Sequence, residues 1–275
     1  MFINFTAKME SVDLNNILEK VIFLAKEVGD FIRHERETFS YNRVEIKGLN
    51  DLVSYVDKTS EKLIVEKLAI ILPDAGFIVE EDTKSEIKNY NWIVDPLDGT
   101  TNFIHGIPCY AISIALELNG KIILGVVYEV AQNECFYAIK NGGAFLNGAK
   151  IKVSERKNLS DSLIATGFPI YNFSRLENYM NTLTYLMKHT HGVRRIGAAA
   201  ADLCYLACGR VDAFFEYNLN PWDVAAGALI VKEAGGTVCD FSKSDNWLFG
   251  KEIIATNYHL QNRFESLVYD NFKNS

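Results

Sequence analysis

The densest chemistry in the chain is the run Trp92-Ile93-Val94-Asp95-Pro96-Leu97-Asp98-Gly99-Thr100-Thr101-Asn102-Phe103. An apolar strand here delivers Asp95 to its end, and Pro96, which cannot donate to a ladder, breaks the pairing at that point. Asp98 follows three residues later, within reach of the same place once the chain turns. Gly99 permits the turn, and Thr100 and Thr101 offer hydroxyls and backbone N–H groups where a helix could begin and an anion is favoured. Two carboxylates this close repel each other unless one is protonated or a cation bridges them. Hard oxygen donors, with gaps for water and phosphate oxygens, suit Mg²⁺ better than zinc. As a bare string, Asp-Pro-Leu-Asp-Gly is also an ordinary turn.

Further acids stand where elements end. Glu80, Glu81 and Asp82 follow the short apolar run Phe77-Ile78-Val79, a concentration of charge that is either a solvated loop or a cation site. Asp223, in Pro221-Trp222-Asp223, sits in the first turn of a helix, where the dipole stabilises an acid in any case. Asp57 reads equally well as a helix N-cap. Taken singly, none of these is decisive. Trp222 reads as packing that positions Asp223, and His189 and His191 as surface. Arg194-Arg195 reads as a salt-bridged or dimer-facing strand, with a phosphate clamp as the alternative.

The elements that must position these acids follow from hydrophobic spacing. Leu14, Ile17, Leu18, Val21, Ile22, Leu24, Ala25, Val28 and Ile32 recur at three- and four-residue steps and predict a helix. Phe23, Phe31, Tyr179 and Tyr185 are expected in helix-packed core. A second helix is predicted from Asp57 to Leu72, stopped by Pro73. Short strands FIVE and NWIVD follow, then YAISIALEL and KIILGVVYEV joined by an Asn119-Gly120 hairpin turn, then ECFYAI. NFSRLENYMNTLTYLMKH and the small-residue run AAAADLCYLACG read as helices, and VDAFFE as a strand. Asn220-Pro221 opens a helix that Gly235-Gly236 closes, with a strand EIIAT and a final helix after it. Helices and strands mix without regular βαβ alternation, so the fold class is α+β.

Composition excludes several functions. With 28 basic and 35 acidic residues among 275, the net charge is −7. That balance argues against direct nucleic-acid binding, which needs clustered Lys and Arg, and it should also repel a small anionic substrate. No apolar run approaches the ~18 residues of a membrane span, and residues 1–13 lack the order of a signal peptide. Five scattered cysteines, Cys109, Cys135, Cys204, Cys208 and Cys239, make no disulfide framework. Buried thiols in a reducing, cytoplasmic setting are the expectation, including the i,i+4 pair Cys204 and Cys208.

Together the motifs resemble the inositol monophosphatase family of Mg²⁺-dependent, lithium-sensitive phosphatases. The two long segments are WIVDPLDGTTNFIHGIPCYAISIA and PWDVAAGALIVKEAGG; KGLNDLVSYVD, FIVEED, GVVYEV, GGAFLNG, GVRRIGAAAADLC and VDAFFE fall in family order. The resemblance implies a layered α/β/α/β/α sandwich, one domain over 1–275 made of two packed halves (about 1–150 and 151–275), and a homodimer. It implies two or three Mg²⁺ ions per site, held by Glu80, Asp95, Asp98, Asp223 and the carbonyl of Leu97, with Asp95 bridging. Gly99 and Thr100 would bind the substrate phosphate. Glu216 and the backbone of Ala199 match positions that touch the alcohol. Lys47 and Asp57 match peripheral positions that help hold a weak third metal or the attacking water. Where the family often has Gly-Glu-Glu, this chain has Val79-Glu80-Glu81; a β-branched residue disfavours positive φ, so the register that selects Glu80 requires an extended Val79.

The activity so implied is hydrolysis of a small polyol phosphate, myo-inositol 1-phosphate first, by an activated water oriented by Glu80 and Thr100 with Asp98 assisting. The alternatives are fructose 1,6-bisphosphate, histidinol phosphate, 3′-phosphoadenosine 5′-phosphate, or a binding role with the transcription machinery. The three-residue spacing of Asp95 and Asp98, followed by Gly-Thr, differs from the D-x-D-x-T of phosphatases that form an aspartyl-phosphate, so no phosphoenzyme is expected.

Overall fold

The first apolar stripe forms α1 (Leu14–Glu37), started by Asp13, whose carboxylate accepts from the backbone N–H groups of Asn15 and Asn16. The structure, a computed structural model, describes residues 12–39, 44–48, 51–169 and 172–273; the side chains of 44–48 and 51–53 lie outside that description. Ile17, Val21, Leu24, Ala25, Val28 and Ile32 are buried along one face of α1. Phe23 is not: it falls on the opposite side of that stripe and is 69% exposed, against the expectation of a core position. Tyr179 is buried as expected, and Phe31 and Tyr185 are half-buried.

A small hairpin, β1 (Val44–Gly48) and β2 (Asp51–Ser54), leads into α2 (Tyr55–Ile71). This helix starts two residues earlier than predicted. Ser54 is its N-cap, and Asp57 sits at the third helical position as the reciprocal partner of a capping box. Seven strands then build the larger sheet: β3 (Gly76–Val79), β4 (Tyr90–Asp98), β5 (Ala111–Leu118), β6 (Lys121–Glu129), β7 (Glu134–Ile139), β8 (Gly143–Leu146) and β9 (Ala149–Ile151), side by side in chain order. Only β3 and β4 run parallel in this sheet. Asn119 and Gly120 both take positive φ, 50° and 80°, as the predicted β5–β6 hairpin requires. A short helix, α3 (Thr100–His105), leaves the end of β4.

The second sheet comprises β10 (Leu163–Thr166), β11 (Gly192–Arg194), β12 (Ala213–Tyr217), β13 (Thr237–Cys239) and β14 (Glu252–Thr256), in the order β11-β10-β12-β14-β13. Its helices are α4 (Leu176–His189), α5 (Ala199–Ala207), α6 (Pro221–Glu233) and α7 (Gln261–Phe272). The layers stack as expected for the α+β sandwich. α1 and α2 cover one face of the seven-stranded sheet, α5 and α6 lie between the two sheets, and α4 and α7 cover the far face of the five-stranded one. Three apolar cores fill the gaps, the central one uniting Ile93 and Val127 of the large sheet with Ala200, Leu203, Ala225 and Ala226 of the helices and Phe214 and Ile253 of the small sheet. Small residues explain why two helices fit in that slot. At Gly125 on β6, a Cβ would stand 2.9 Å from the backbone oxygen of Ala226 on α6. Among the described residues, no helix is long and apolar enough to cross a membrane. All five cysteines are free; four are buried and Cys208 is half-buried.

Candidate active site

Pro96 does not end β4, as its missing N–H suggested. The strand continues to Asp98 with a one-residue bulge: Asp95 pairs with Ser113, and Asp98 with Ala111. Residues three apart on a regular strand project to opposite faces. The extra residue of the bulge cancels that alternation, so Asp95 and Asp98 line the same cavity. The N–H of Leu97 closes the bulge by donating to Asp95 Oδ1 at 2.9 Å. Gly99, in the left-handed region at φ 89°, then turns the chain into α3.

Each remaining acid is aimed by its own element. Val79 is the last residue of β3, in an extended conformation, and Glu80 opens the turn beyond it. That turn is held from α2 by the buried Glu61, which accepts from the N–H groups of Glu81 at 2.7 Å and Thr83 at 3.0 Å. Glu80 lines the cavity; Glu81 does not. Asp98 accepts from the backbone N–H of Ala200 at 2.7 Å, in the first turn of α5, and the N–H of Ala199 also serves it. Asp223 accepts from the N–H of Asn220 at 2.7 Å and so belongs to the start of α6. That start is tied to the large sheet by Ser113, whose hydroxyl donates to the carbonyl of Trp222 at 3.0 Å. Trp222 itself packs on the central core, as read from the sequence.

Asp57 is drawn in from α2. Its Oδ2 accepts from the backbone and the hydroxyl of Ser54, at 2.9 and 2.6 Å, and its Oδ1 faces Thr100 Oγ1 at 2.8 Å. Thr100 Oγ1 also lies 3.0 Å from the carbonyl of Leu97, and its single proton can serve only one of the two.

Glu80, Asp95, Leu97, Asp98, Thr100 and Asp223 line one cavity of about 150 Å³. The opposite wall comes from the small sheet. Glu216 on β12 lies against Gly167, where a Cβ would meet its carboxylate at 1.8–2.2 Å, so any larger residue there would displace the Glu216 carboxylate. Phe168 and Arg195 complete that wall. Asn102 joins the two sides from α3, its amide donating to the carbonyls of Cys109 at 2.8 Å and Ile196 at 2.9 Å.

The electrostatics are those of crowded acids. Burial, and then the charges of Glu80, Asp98 and Asp223, hold Asp95 well above the ordinary aspartate range. Glu80 is raised by burial and by Asp223, Asp223 to about 7 by burial and Asp98. Asp98 reaches about 6, burial being partly offset by the backbone donors of α5. Glu216 and the buried Asp202 beneath the site are raised by burial and neighbouring acids. Among the described residues, Arg195 is the one cation in the lining.

Divalent magnesium fits this donor set. Among the described residues the lining offers carboxylate, carbonyl and hydroxyl oxygen and no Cys or His; oxygen donors are the hard ligands Mg²⁺ takes. Among the described residues, no group of three or more Asp, Glu, His or Cys side chains is spaced to hold a metal ion by itself. A Mg²⁺ ion needs only one or two carboxylates, because water and substrate phosphate complete its shell. Glu80, Asp95, Asp98, Asp223 and the Leu97 carbonyl are the oxygen donors of the lining that could hold it.

Nine of the residues named from the sequence line the cavity: Glu80, Asp95, Leu97, Asp98, Gly99, Thr100, Ala199, Glu216 and Asp223. Asp57 stands behind Thr100. The side chain of Lys47, on β1, lies outside the described residues. His189 and His191 are on the surface as expected, well away from this lining. Arg195 departs from the salt-bridged strand expected of it, because it follows β11 and faces the cavity. Glu61, Asn102, Gly167, Phe168 and Asp202 carry no local signal of their roles.

Comparison with known protein families matches residues 13–273 to the inositol monophosphatase family. The Nus factor SuhB of Pseudomonas aeruginosa is 42% identical over 239 residues, 85% of this chain and 88% of that protein. An inositol-1-monophosphatase of Mesorhizobium japonicum is 39% identical over 247 residues, 89% of this chain and 93% of that protein. Among solved structures, the extragenic suppressor protein SuhB of Bartonella henselae superimposes with a TM-score of 0.87 at 40% identity, covering 93% of this chain and 98% of that one.

Proposed function

The chain belongs to the inositol monophosphatase family, and from that premise we propose that it is a Mg²⁺-dependent phosphomonoesterase acting on a small polyol or sugar phosphate, myo-inositol 1-phosphate first. The observation that carries this reading is the convergence of Glu80, Asp95, Asp98 and Asp223, from a strand end, a bulge and a helix start, beside the Thr100–Asp57 pair. Two or three Mg²⁺ ions, when bound by these oxygens, neutralise phosphate charge and acidify the attacking water.

The protein residues do the rest. Thr100 Oγ1 accepts the hydrogen bond of the attacking water while its own proton points to Asp57 Oδ1. Burial raises the proton affinity of Asp57, against the pull of Ser54 and Thr100, which suits it to receive that proton. Glu80 orients the same water and Asp98 assists. Gly99 and Thr100 bind the phosphate, and Glu216 with the backbone of Ala199 binds the alcohol. Attack is direct, without a phosphoenzyme. One catalytic unit spans both halves of the chain, since the cavity draws on both sheets. A cytoplasmic homodimer is the setting we propose.

A second role is favoured by one observation: the relative named Nus factor SuhB. Association with transcription machinery would be protein–protein, given the net charge of −7, and would leave the carboxylate cluster intact. The test of the main reading is phosphate release from a panel of inositol, fructose, histidinol and nucleotide phosphates. Release with Mg²⁺ that stops with a chelator is expected; no release from any member would overturn it.

A further inference from the structure

Glu80 is held differently from the other acids of the cavity. Asp95 and Asp98 are fixed by the bulge of β4, and Asp223 belongs to the start of α6. Glu80 instead stands on the turn after β3, and that turn carries Asp82 in the left-handed region at φ 54°. Such a conformation is uncommon for a residue with a side chain and persists where the surrounding structure holds it.

The holding group is Glu61, fully buried on α2. Its Oε2 accepts from the N–H of Glu81 at 2.7 Å and its Oε1 from the N–H of Thr83 at 3.0 Å, so the two bonds bracket Asp82. Both oxygens accept, the role of a carboxylate. One helical turn earlier, on the same face of α2, the equally buried Asp57 reaches Thr100. Further along, Ile64 and Leu68 anchor the helix among Phe77, Val79 and Trp92. The helix thus presents two buried acids to the back of the cavity, Asp57 behind Thr100 and Glu61 behind the turn of Glu80.

We propose that Glu61 is a positioning residue for Mg²⁺ binding: by bracketing the turn at Asp82 it keeps the Glu80 carboxylate at the acid cluster before an ion arrives. The inference rests on the Mg²⁺-dependent phosphatase reading of the same cavity and deepens it. Without a cation, Glu80 faces the charges of Asp95 and Asp223, and repulsion would turn it away if its turn were free. Holding the acids together in advance places that cost in folding, so that less of it is drawn from the binding of the ion. An amide in place of the Glu61 carboxylate would set an NH₂ group against one of the two backbone N–H groups, and the bracket would open.

The test is calorimetric titration of the full-length, substrate-free protein with Mg²⁺, with phosphate release followed in parallel over a Mg²⁺ series. Glu61→Gln should weaken Mg²⁺ binding by about tenfold or more, the range for groups that orient a metal ligand. The turnover it loses at low Mg²⁺ should be regained as Mg²⁺ is raised. Glu61→Asp keeps the charge but withdraws it by one methylene, should lose less affinity, and takes the place of the amide variant if that one does not fold; unfolding curves in chelator show which variants are folded. A purely structural Glu61 would lower stability and leave the affinity of the folded protein alone. A Kd within about twofold of wild type in folded Glu61→Gln, or a loss of turnover that added Mg²⁺ does not restore, overturns the proposal. The two arms separate the claims: Mg²⁺ binding that depends on Glu61, without phosphate release, keeps the positioning role and removes the phosphatase reading. Release with an unchanged Mg²⁺ affinity in the variant does the reverse.

Discussion

Asp95, at the bulge of β4, and Asp212, just before β12, are both buried aspartates, and they solve the cost of burial in opposite ways. Asp212, beside β12, is surrounded by donors: the N–H of Leu163 at 2.7 Å, Arg156 at 3.0 Å and the hydroxyl of Ser154. It joins β10, β12 and the segment after β9. Asp95 has one backbone donor, Leu97, and faces Glu80, Asp98 and Asp223. The first is a structural carboxylate, complete within the protein. The second faces other acids across a cavity open to ligand, the arrangement that the proposed cation would complete. Sequence position does not separate the two; the partners do.

The comparison can be broken at either end. The largest expected effect is at Asp212. Asp212→Ala leaves a buried backbone N–H and an arginine without their acceptor and should cost about 3 kcal/mol of stability, measured by urea unfolding; a loss under about 1 kcal/mol, the range of an ordinary exposed pair, would show that its donors do not matter. At the other end, the acid cluster should make the protein's stability depend on pH when divalent ions are removed. Folding raises Asp98 to about 6 and Asp223 to about 7, from an ordinary 3.8. A carboxyl that binds its proton more tightly when folded contributes full stability below its unfolded pKa and loses it as pH rises. Stability in chelator should therefore begin to fall near pH 4 and keep falling through about pH 7, by on the order of a few kcal/mol. Mg²⁺ should flatten that slope. A flat profile in chelator would show that the acids do not repel.

Much of this was legible from residue types. Helical spacing located α1, the small-residue runs located α5 and α6, and Asn119-Gly120 located the β5–β6 turn. The layered architecture expected from the motifs is the one observed. The candidate site was legible in acids near element boundaries, with Asp98 closing β4 and Asp223 in the first turn of α6. What stayed hidden depends on long-range pairing. Pro96 suggested a strand end, because the bulge that lets β4 continue is defined only by its register with β5. The turn that brings Glu80 into the cavity is fixed by Glu61, far away on α2. Gly167, Phe168 and Arg195 reach the wall only because β10 pairs with both β11 and β12. Asp57 read as a helix cap and is one, but its other oxygen serves Thr100. Phe23 shows the limit of periodicity: an apolar residue off the stripe satisfies composition and remains in solvent.

The central claim is that the carboxylate cluster serves Mg²⁺-dependent phosphate release. Its most direct test is the turnover of Asp95→Asn against wild type, at saturating Mg²⁺, on the best substrate of the panel, with unfolding curves to confirm that both are folded. The substitution keeps the size of the side chain and removes the charge at the centre of the cluster. Turnover should fall by at least about 10³-fold, roughly 4 kcal/mol of transition-state stabilisation. Near wild-type release of phosphate by folded Asp95→Asn would contradict the account.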